Sequence, residues 1–133
     1  MSNLNSIFPC FIVENLNSSV SFYADLLGFE IKHLGPEEDP YWSIVGRDQI
    51  SILLKAVAPE VIPIPNHGRH EFAPWDAYIF TLDPATLYDE YIRKNVAFHK
   101  HLQVNSDHLL GFEIKDIDGY VLFFWKTKVN MNQ

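Results

Sequence analysis

The chain has 133 residues, of which 47% are hydrophobic and 14% are aromatic, a composition typical of a folded domain with a buried core. The 17 Asp and Glu residues outnumber the 10 Lys and Arg residues, and the formal charge of −7 disfavours nucleic acid and favours a cationic partner. Cys10 is the single cysteine, which excludes an intrachain disulfide. No basic segment precedes the apolar N-terminal residues and no stretch reaches the roughly 20 apolar residues of a membrane span, so we expect a cytoplasmic protein without a membrane partner.

The first half of the chain predicts one strand, one helix and three further strands. Residues 6–13 are rich in β-branched and aromatic residues and indicate the first strand. Apolar residues three and four positions apart then indicate an amphipathic helix, which Asn15 or Asn17 can cap and Gly28 can end. The three strands that follow are predicted over residues 29–34, 41–45 and 49–55.

The second half of the chain repeats this order after an interruption. Residues 56–74 contain four prolines that remove backbone donors, so we expect an ordered connector or lid there. Residues 75–81 indicate a strand, and Asp83 with Pro84 begins a helix that Asn95 can end. The last three strands are predicted over residues 98–104, 109–114 and 121–126.

The two halves match in residue type when the first is shifted forward by 69 positions, the separation of Phe11 and Phe80. The same shift places Phe29 on Phe98 without a gap. One small sheet buries too little apolar surface alone, so the match predicts two tandem modules. We expect a single domain with module 1 at residues 4–56, a connector at residues 57–74 and module 2 at residues 75–128.

Two stretches of the sequence carry a family resemblance. "VENLNSSVSFYADLLGFEI" resembles the opening signature of the vicinal oxygen chelate superfamily, which includes glyoxalases, bleomycin-resistance proteins and extradiol dioxygenases, and "GFEIKDIDGYVLFFW" resembles its closing signature. The resemblance covers almost the whole chain. It implies an α+β fold in which two tandem βαβββ modules form a curved, cup-shaped mixed sheet, and it implies a homodimer.

Members of this superfamily commonly hold a divalent metal inside the cup, with His, Gln or Glu side chains on the first and last strands of each module. The resemblance places these positions at Phe8, Ala77, Phe123 and a fourth site within residues 51–54, whose register stays open. None of these positions carries a carboxylate or an imidazole, so we expect no metal and no other cofactor. In this respect the chain is similar to the metal-free bleomycin-resistance branch.

Strand alternation and the position of two tryptophans predict the side chains that line the cup. The lining is apolar and aromatic, which suits a planar small molecule, and none of its residues is predicted to be catalytic. Trp42 and Trp75 fit a plain core position equally well. The predicted ligand-binding residues are Phe8, Cys10, Trp42, Trp75, Ala77, Ile79, Phe123 and Trp125.

Two groups of histidines offer an alternative metal site. His67, His70 and Glu71 could bind zinc, but they lie in a proline-bounded loop without the spacing of a zinc-binding helix. His99 and His101 alternate along one face of a predicted strand, where exposure at a sheet edge is the simpler interpretation.

Three functions are compatible with the sequence. The favoured hypothesis is a metal-free protein of the bleomycin-resistance type that sequesters a drug-like or cationic aromatic molecule in the cup, at a dimer interface, with an acidic turn at residues 37–39 attracting the cation. The second is a metal-dependent enzyme of the glyoxalase or dioxygenase type with displaced ligands. The third is an interaction module whose cup is filled by its own side chains.

Overall fold

The computed structural model describes residues 1–128. Its first module comprises β1 (Cys10–Ile12), α1 (Leu16–Ser21), a π-helical segment (Phe22–Leu26), β2 (Glu30–Gly35), β3 (Trp42–Arg47) and β4 (Ile50–Lys55). Its second module comprises a short 3-10 helix (Asn66–Gly68), β5 (Ala77–Phe80), α2 (Pro84–Arg93), β6 (Lys100–Val104), β7 (Leu109–Lys115) and β8 (Val121–Thr127).

Each module contains one four-stranded mixed sheet. The strand orders are β1-β4-β3-β2 and β5-β8-β7-β6. The first strand of each module runs parallel to the last strand, and the other neighbours are antiparallel. The α+β fold with two tandem modules is therefore confirmed, whereas their assembly into a cup stays a prediction.

Internal contacts divide the chain into two units, with the boundary between Pro63 and Ile64. This boundary falls inside the predicted connector, and the predicted module limits stay a prediction. In the part of the chain that the structure describes, no helix has the length and apolar character needed to cross a membrane.

The first strand is shorter than predicted. Residues 6–9 lie outside β1, and Phe8 is 42% exposed. The carbonyl of Pro9 accepts a hydrogen bond from the backbone N–H of Leu53, but proline has no N–H with which to extend the ladder. The β-branched and aromatic composition of residues 6–13 therefore predicted more strand than the pairing allows.

The predicted helix boundaries are confirmed by their capping geometry. Asn15 caps α1 and Asp83 caps α2, because each side chain accepts a hydrogen bond from the backbone N–H three residues later, at 2.9 Å and 3.2 Å. Gly28 and Asn95 follow the two helical regions with φ values of 75° and 61°, the left-handed conformation that ends a helix. These local signals define the frame of both modules.

The gapless shift of 69 positions between the modules is wrong. Tyr23 and Tyr91, both fully buried, are 68 positions apart, and so are the two capping residues. The left-handed residues Gly28 and Asn95 are 67 positions apart. The π-helical segment Phe22–Leu26 accounts for the change from 68 to 67 positions, because a π-helix accommodates one more residue than the α-helix it interrupts.

The core of the second module lies between its sheet and α2. Phe112 on β7 stacks on Phe124 on β8 with ring centroids 5.0 Å apart, and Tyr91 from α2 meets both rings edge-on. All three are buried. Because side chains alternate along a strand, the neighbours of Phe112 and Phe124 in sequence project to the opposite side of the sheet.

Candidate ligand-binding face

The side of the second sheet that faces away from α2 is here called the open face. It carries Tyr78 and Phe80 from β5, Phe123 and Trp125 from β8, and Gly111 and Glu113 from β7. Strand pairing places these side chains side by side: in the parallel pair of β5 and β8, Tyr78 lies beside Phe123 and Phe80 lies beside Trp125. In the antiparallel pair Glu113 lies beside Phe123 and Gly111 beside Trp125.

The placement of Ala77 and Ile79 beside Phe123 in a cup lining is wrong. These two residues pair with Leu122 and Phe124, whose side chains project toward α2. The strand was identified correctly, but a one-residue error in register moves every side chain to the other face of a sheet. Tyr78 and Phe80 occupy the open-face positions instead.

The aromatic side chains of the open face form one continuous array. Trp75, just before β5, stacks on Phe123 with ring centroids 4.6 Å apart and planes inclined by 14°. Tyr78 contacts Trp125 at 4.6 Å, and Phe80 meets Trp125 edge-on at 5.4 Å. Phe123 is only 3% exposed, whereas Tyr78 and Phe80 are 52% and 58% exposed. The array therefore runs from a buried end at Phe123 to an exposed end on β5.

Gly111 makes room for the buried end of the array. A Cβ atom at this position would lie 2.9 Å from Cε1 of Phe123 and would collide with the carbonyl oxygen of Phe124. The missing side chain lets the Phe123 ring lie over β7, where it receives the stacked indole of Trp75. The glycine here has a packing role, unlike the glycines that end turns.

Glu113 places a carboxylate in this otherwise apolar face. Its side chain is 6% exposed, and its Oε2 accepts a hydrogen bond of 2.9 Å from Nε1 of Trp75. Its Oε1 is buried and has no hydrogen-bond partner among residues 1–128, and the same holds for the indole Nε1 of Trp125. The face therefore presents an unpaired acceptor and an unpaired donor, each of which is unfavourable to bury.

His99 is the polar side chain nearest to the unpaired oxygen. Its Nε2 lies 3.8 Å from Oε1 of Glu113, too far for a hydrogen bond. Burial lowers the pKa of His99 below its usual 6.5, and the positive charge of Lys115 lowers the pKa further against the opposing pull of Glu113. His99 is therefore predominantly neutral at pH 7 and does not supply the positive charge that Oε1 lacks.

The segment before β5 is held in place by hydrogen bonds to the second sheet. The side chain of Asn66 donates to the carbonyl of Trp75 at 3.0 Å, and Asp76 accepts from the backbone N–H groups of Asn66 and Val121 at 2.8 Å each. His67 donates from Nε2 to the carbonyl of Gly119 at 2.9 Å. These bonds fix the backbone from which the Trp75 indole projects onto Phe123.

The remaining predicted lining residues lie in the first unit. Cys10 on β1 is exposed and lies beside Leu53. Trp42 on β3 is half-buried, and its ring lies so close to Gly35 that a Cβ atom there would meet Cζ2 at 2.6 Å. Of the eight predicted residues, the structure joins only Trp75, Phe123 and Trp125 in one ring array.

Comparison with known proteins identifies the fold. No protein-family model matches the sequence, and no curated protein matches it. Solved structures do match: a bleomycin-binding protein from Streptomyces verticillus, complexed with copper(II)-bleomycin, gives a TM-score of 0.67 at 21% identity over 93% of this chain and 97% of that one. The chain has the vicinal oxygen chelate fold.

Two further structures with the vicinal oxygen chelate fold are similar over most of their length. An antibiotic-binding protein from a Streptomyces species gives a TM-score of 0.66 at 18% identity, covering 95% of this chain and 99% of that one. A glyoxalase/bleomycin resistance protein/dioxygenase superfamily member from Sphaerobacter thermophilus gives 0.64 at 17% identity, covering 91% and 97%. At these identities the likeness establishes the fold alone.

The residues present do not fit the metal that the vicinal oxygen chelate fold commonly holds. In the observed register Tyr78, and not Ala77, lies beside Phe123. Tyrosine carries neither a carboxylate nor an imidazole, so this correction adds no such ligand at the positions where the superfamily holds its metal. Within residues 1–128, no group of three or more His, Cys, Asp or Glu side chains could hold a metal ion. The same result holds for His67, His70 and Glu71, which do not form the alternative zinc site.

Sequence patterns missed three residues of this face, Tyr78, Phe80 and Glu113, and they predicted His99 only as a member of a histidine pair with His101. A signal for Glu113 was present, because it is the one charged residue within the strand-like run "LLGFEI". A charged residue in such a run is either buried with the strand or points out of the core. The contacts of Glu113 with Trp75 and His99 join residues far apart in the chain, and no local pattern in the sequence encodes them.

Proposed function

We propose that the chain is a small-molecule binding protein of the bleomycin-resistance type, which sequesters a drug-like aromatic ligand on the open face of its second sheet. The observation that carries the proposal is the aromatic array, whose exposed end at Tyr78 and Phe80 offers ring surface beside Trp125. Clustered exposed rings favour binding, whereas single exposed apolar residues are common on any surface. Structural neighbours named for binding bleomycin and an antibiotic support this class of ligand.

Binding on this face is stoichiometric and needs no covalent step. Each aromatic pair contributes roughly 0.5–1.5 kcal/mol beyond the burial of apolar surface. The net charge of −7 favours the approach of a cationic ligand. The proposed contacts come from rings and one carboxylate, so they require no protein-bound metal. We place this activity in the cytoplasm.

Replacement of Phe80 tests the role of the exposed end of the array. Phe80→Ala removes a ring that contacts Trp125, and we expect the affinity for a planar aromatic probe such as 2-(aminomethyl)naphthalene to fall by roughly three- to tenfold. Isothermal titration calorimetry measures the change. Because the Phe80 side chain is 58% exposed, the substitution leaves the buried core intact.

Phe72→Ala is the matched control for this experiment. Phe72 is 82% exposed, and its ring contacts His70 outside the open face. The control should bind the probe with unchanged affinity. Equal losses in both variants, or unchanged binding in Phe80→Ala, would count against ligand binding on this face.

A homodimer, which the family resemblance implies, belongs to the same proposal. Sedimentation equilibrium tests it through the mass of the particle, which should be twice the 15.4 kDa of one chain. A particle of one chain's mass at all concentrations would remove the dimer from the proposal while leaving ligand binding on the open face to be judged by calorimetry.

A further inference from the structure

The carboxylate of Glu113 has two oxygens in different situations, and this difference specifies a ligand. We infer that Glu113 makes the open face selective for an aromatic molecule that carries an N–H cation, such as a primary or secondary ammonium, an amidinium or a guanidinium. The inference rests on the proposed function and assigns both the recognition residue and the chemical group that it recognises.

Oε1 of Glu113 is buried without a hydrogen-bond partner among residues 1–128. A buried carboxylate oxygen is stable when it accepts a hydrogen bond, and bonds to charged groups are stronger than bonds between neutral groups. Oε2 receives the Trp75 indole N–H, but Oε1 receives none. Among residues 1–128, His99 is the side chain within ion-pair distance of Glu113, and it is too distant to donate a hydrogen bond. A donor from outside the chain completes the site.

The surroundings of Glu113 indicate the shape of the donor that it accepts. Trp75 shows which chemistry this position accepts, because its flat ring stacks on Phe123 while its N–H group points to Glu113. A ligand that combines a flat ring with an N–H group reproduces the same pair of interactions at Oε1. The unpaired Nε1 of Trp125 offers a further contact to an acceptor atom on the ligand.

A ligand needs access to Oε1 of Glu113. Oε1 is closed to solvent in the structure, and the His99 imidazole lies against it at 3.8 Å. The His99 side chain is 33% exposed and has room to rotate toward solvent, and a ligand requires this rotation to reach Oε1. Because His99 is predominantly neutral, it does not compensate the negative charge of the Glu113 carboxylate, and a cationic ligand can do so. A quaternary ammonium is attracted by the rings but has no N–H group to donate to Oε1.

A pair of matched probes tests the inference on the whole chain. The first is 2-(aminomethyl)naphthalene, which is a primary ammonium at pH 7, and the second is its N,N,N-trimethylammonium analogue. Calorimetry with the unaltered protein should show the primary ammonium binding roughly tenfold or more tightly than the trimethyl analogue. In Glu113→Gln the ratio should fall toward one, because the amide keeps an acceptor for Trp75 but replaces the charged oxygen. Glu71→Gln, at an exposed loop position, should leave the ratio unchanged.

The outcomes separate this inference from the proposed function. If both probes bind the unaltered protein with equal affinity, the selectivity is refuted while aromatic binding on the open face stands. If Glu113→Gln still binds the primary ammonium more tightly than the trimethyl analogue by the same ratio, another residue accepts the N–H group and the assignment to Glu113 is wrong. If neither probe binds at concentrations on the order of 1 mM, the proposed function fails together with the inference. The comparison of probes on the unaltered protein decides the selectivity even if Glu113→Gln does not fold.

Discussion

The two modules differ most on the sides of their sheets that face away from the buried cores. In the first module the paired positions of β1 and β4 carry Cys10 beside Leu53, and the aliphatic Ile44 follows on β3. In the second module the paired positions of β5 and β8 carry Tyr78 beside Phe123, and a carboxylate follows on β7. The modules keep the same strand order, helix caps and buried tyrosines. The two modules therefore share the features that build their cores. The candidate function resides in the strand residues between the core residues, whose side chains point to the opposite face of the sheet.

Among the substitutions that test this difference between the modules, we expect Gly111→Ala to have the largest effect on stability. The added Cβ would meet Phe123 at 2.9 Å and collide with the backbone of β8, which cannot yield as a flexible side chain can. We expect overpacking to lower the free energy of unfolding by about 1–3 kcal/mol and to disturb the stacking of Trp75 on Phe123. Urea denaturation measures the stability, and near-ultraviolet circular dichroism reports the tryptophan environment.

Gly68→Ala provides the control for the glycine substitution. A Cβ atom at Gly68 meets nothing within 4 Å, and the position is exposed. Its stability should change by no more than about 0.5 kcal/mol, as for other surface substitutions. If Gly111→Ala proved equally harmless, the close packing of Phe123 over β7 would be wrong.

A smaller effect distinguishes the helix caps of the two modules by their response to acid. The hydrogen bonds from Thr86, first from its hydroxyl and then from its backbone N–H, lower the pKa of Asp83 below its usual value of 3.8. The folded state thus favours the ionised carboxylate. The contribution of this cap is present above pH 3.8 and is lost as the pH falls through the lowered pKa. Asn15 does not titrate, so its cap keeps its strength.

Urea denaturation at several pH values compares the two caps. Asn15→Ala should lower the free energy of unfolding by about 1 kcal/mol at every pH at which the protein folds. Asp83→Ala should destabilise the protein at neutral pH, and the difference from the unaltered protein should shrink as the pH drops below 3.8. A constant difference for Asp83→Ala would show that its carboxylate charge plays no part in the cap.

Local signals in the sequence were sufficient for the frame of the fold. The caps and the left-handed residues each depend on a few neighbouring residues: Asp83, Gly28 and Asn95 were predicted as helix boundaries, and the structure chooses Asn15 over Asn17 as the first cap. The opening signature stretch spans Asn15 and Gly28, so the family resemblance and the local signals coincide in the first module.

The candidate site was predicted only in part, for two physical reasons. Side chains alternate with a period of two, so a register on β5 that was off by one residue exchanged Ala77 for Tyr78 on the open face. The partners of Glu113 come from the segment before β5 and from β6, and such long-range contacts depend on the folded sheet. Phe123 and Trp125 were identified because strand alternation places them on one face of β8, and Trp75 was identified by its position at the start of the second module.

A titration followed by two-dimensional ¹H–¹⁵N NMR tests most directly whether the ligand binds to the second module. With 2-(aminomethyl)naphthalene, the largest shifts should appear at the indole N–H of Trp125 and the amides of Tyr78 and Phe80, while the amides of Cys10–Ile12 stay unchanged. Ring-current shifts fall off steeply with distance, so they locate the bound probe. Shifts confined to the first module, or none at saturating probe, would contradict the assignment of the binding site to the open face.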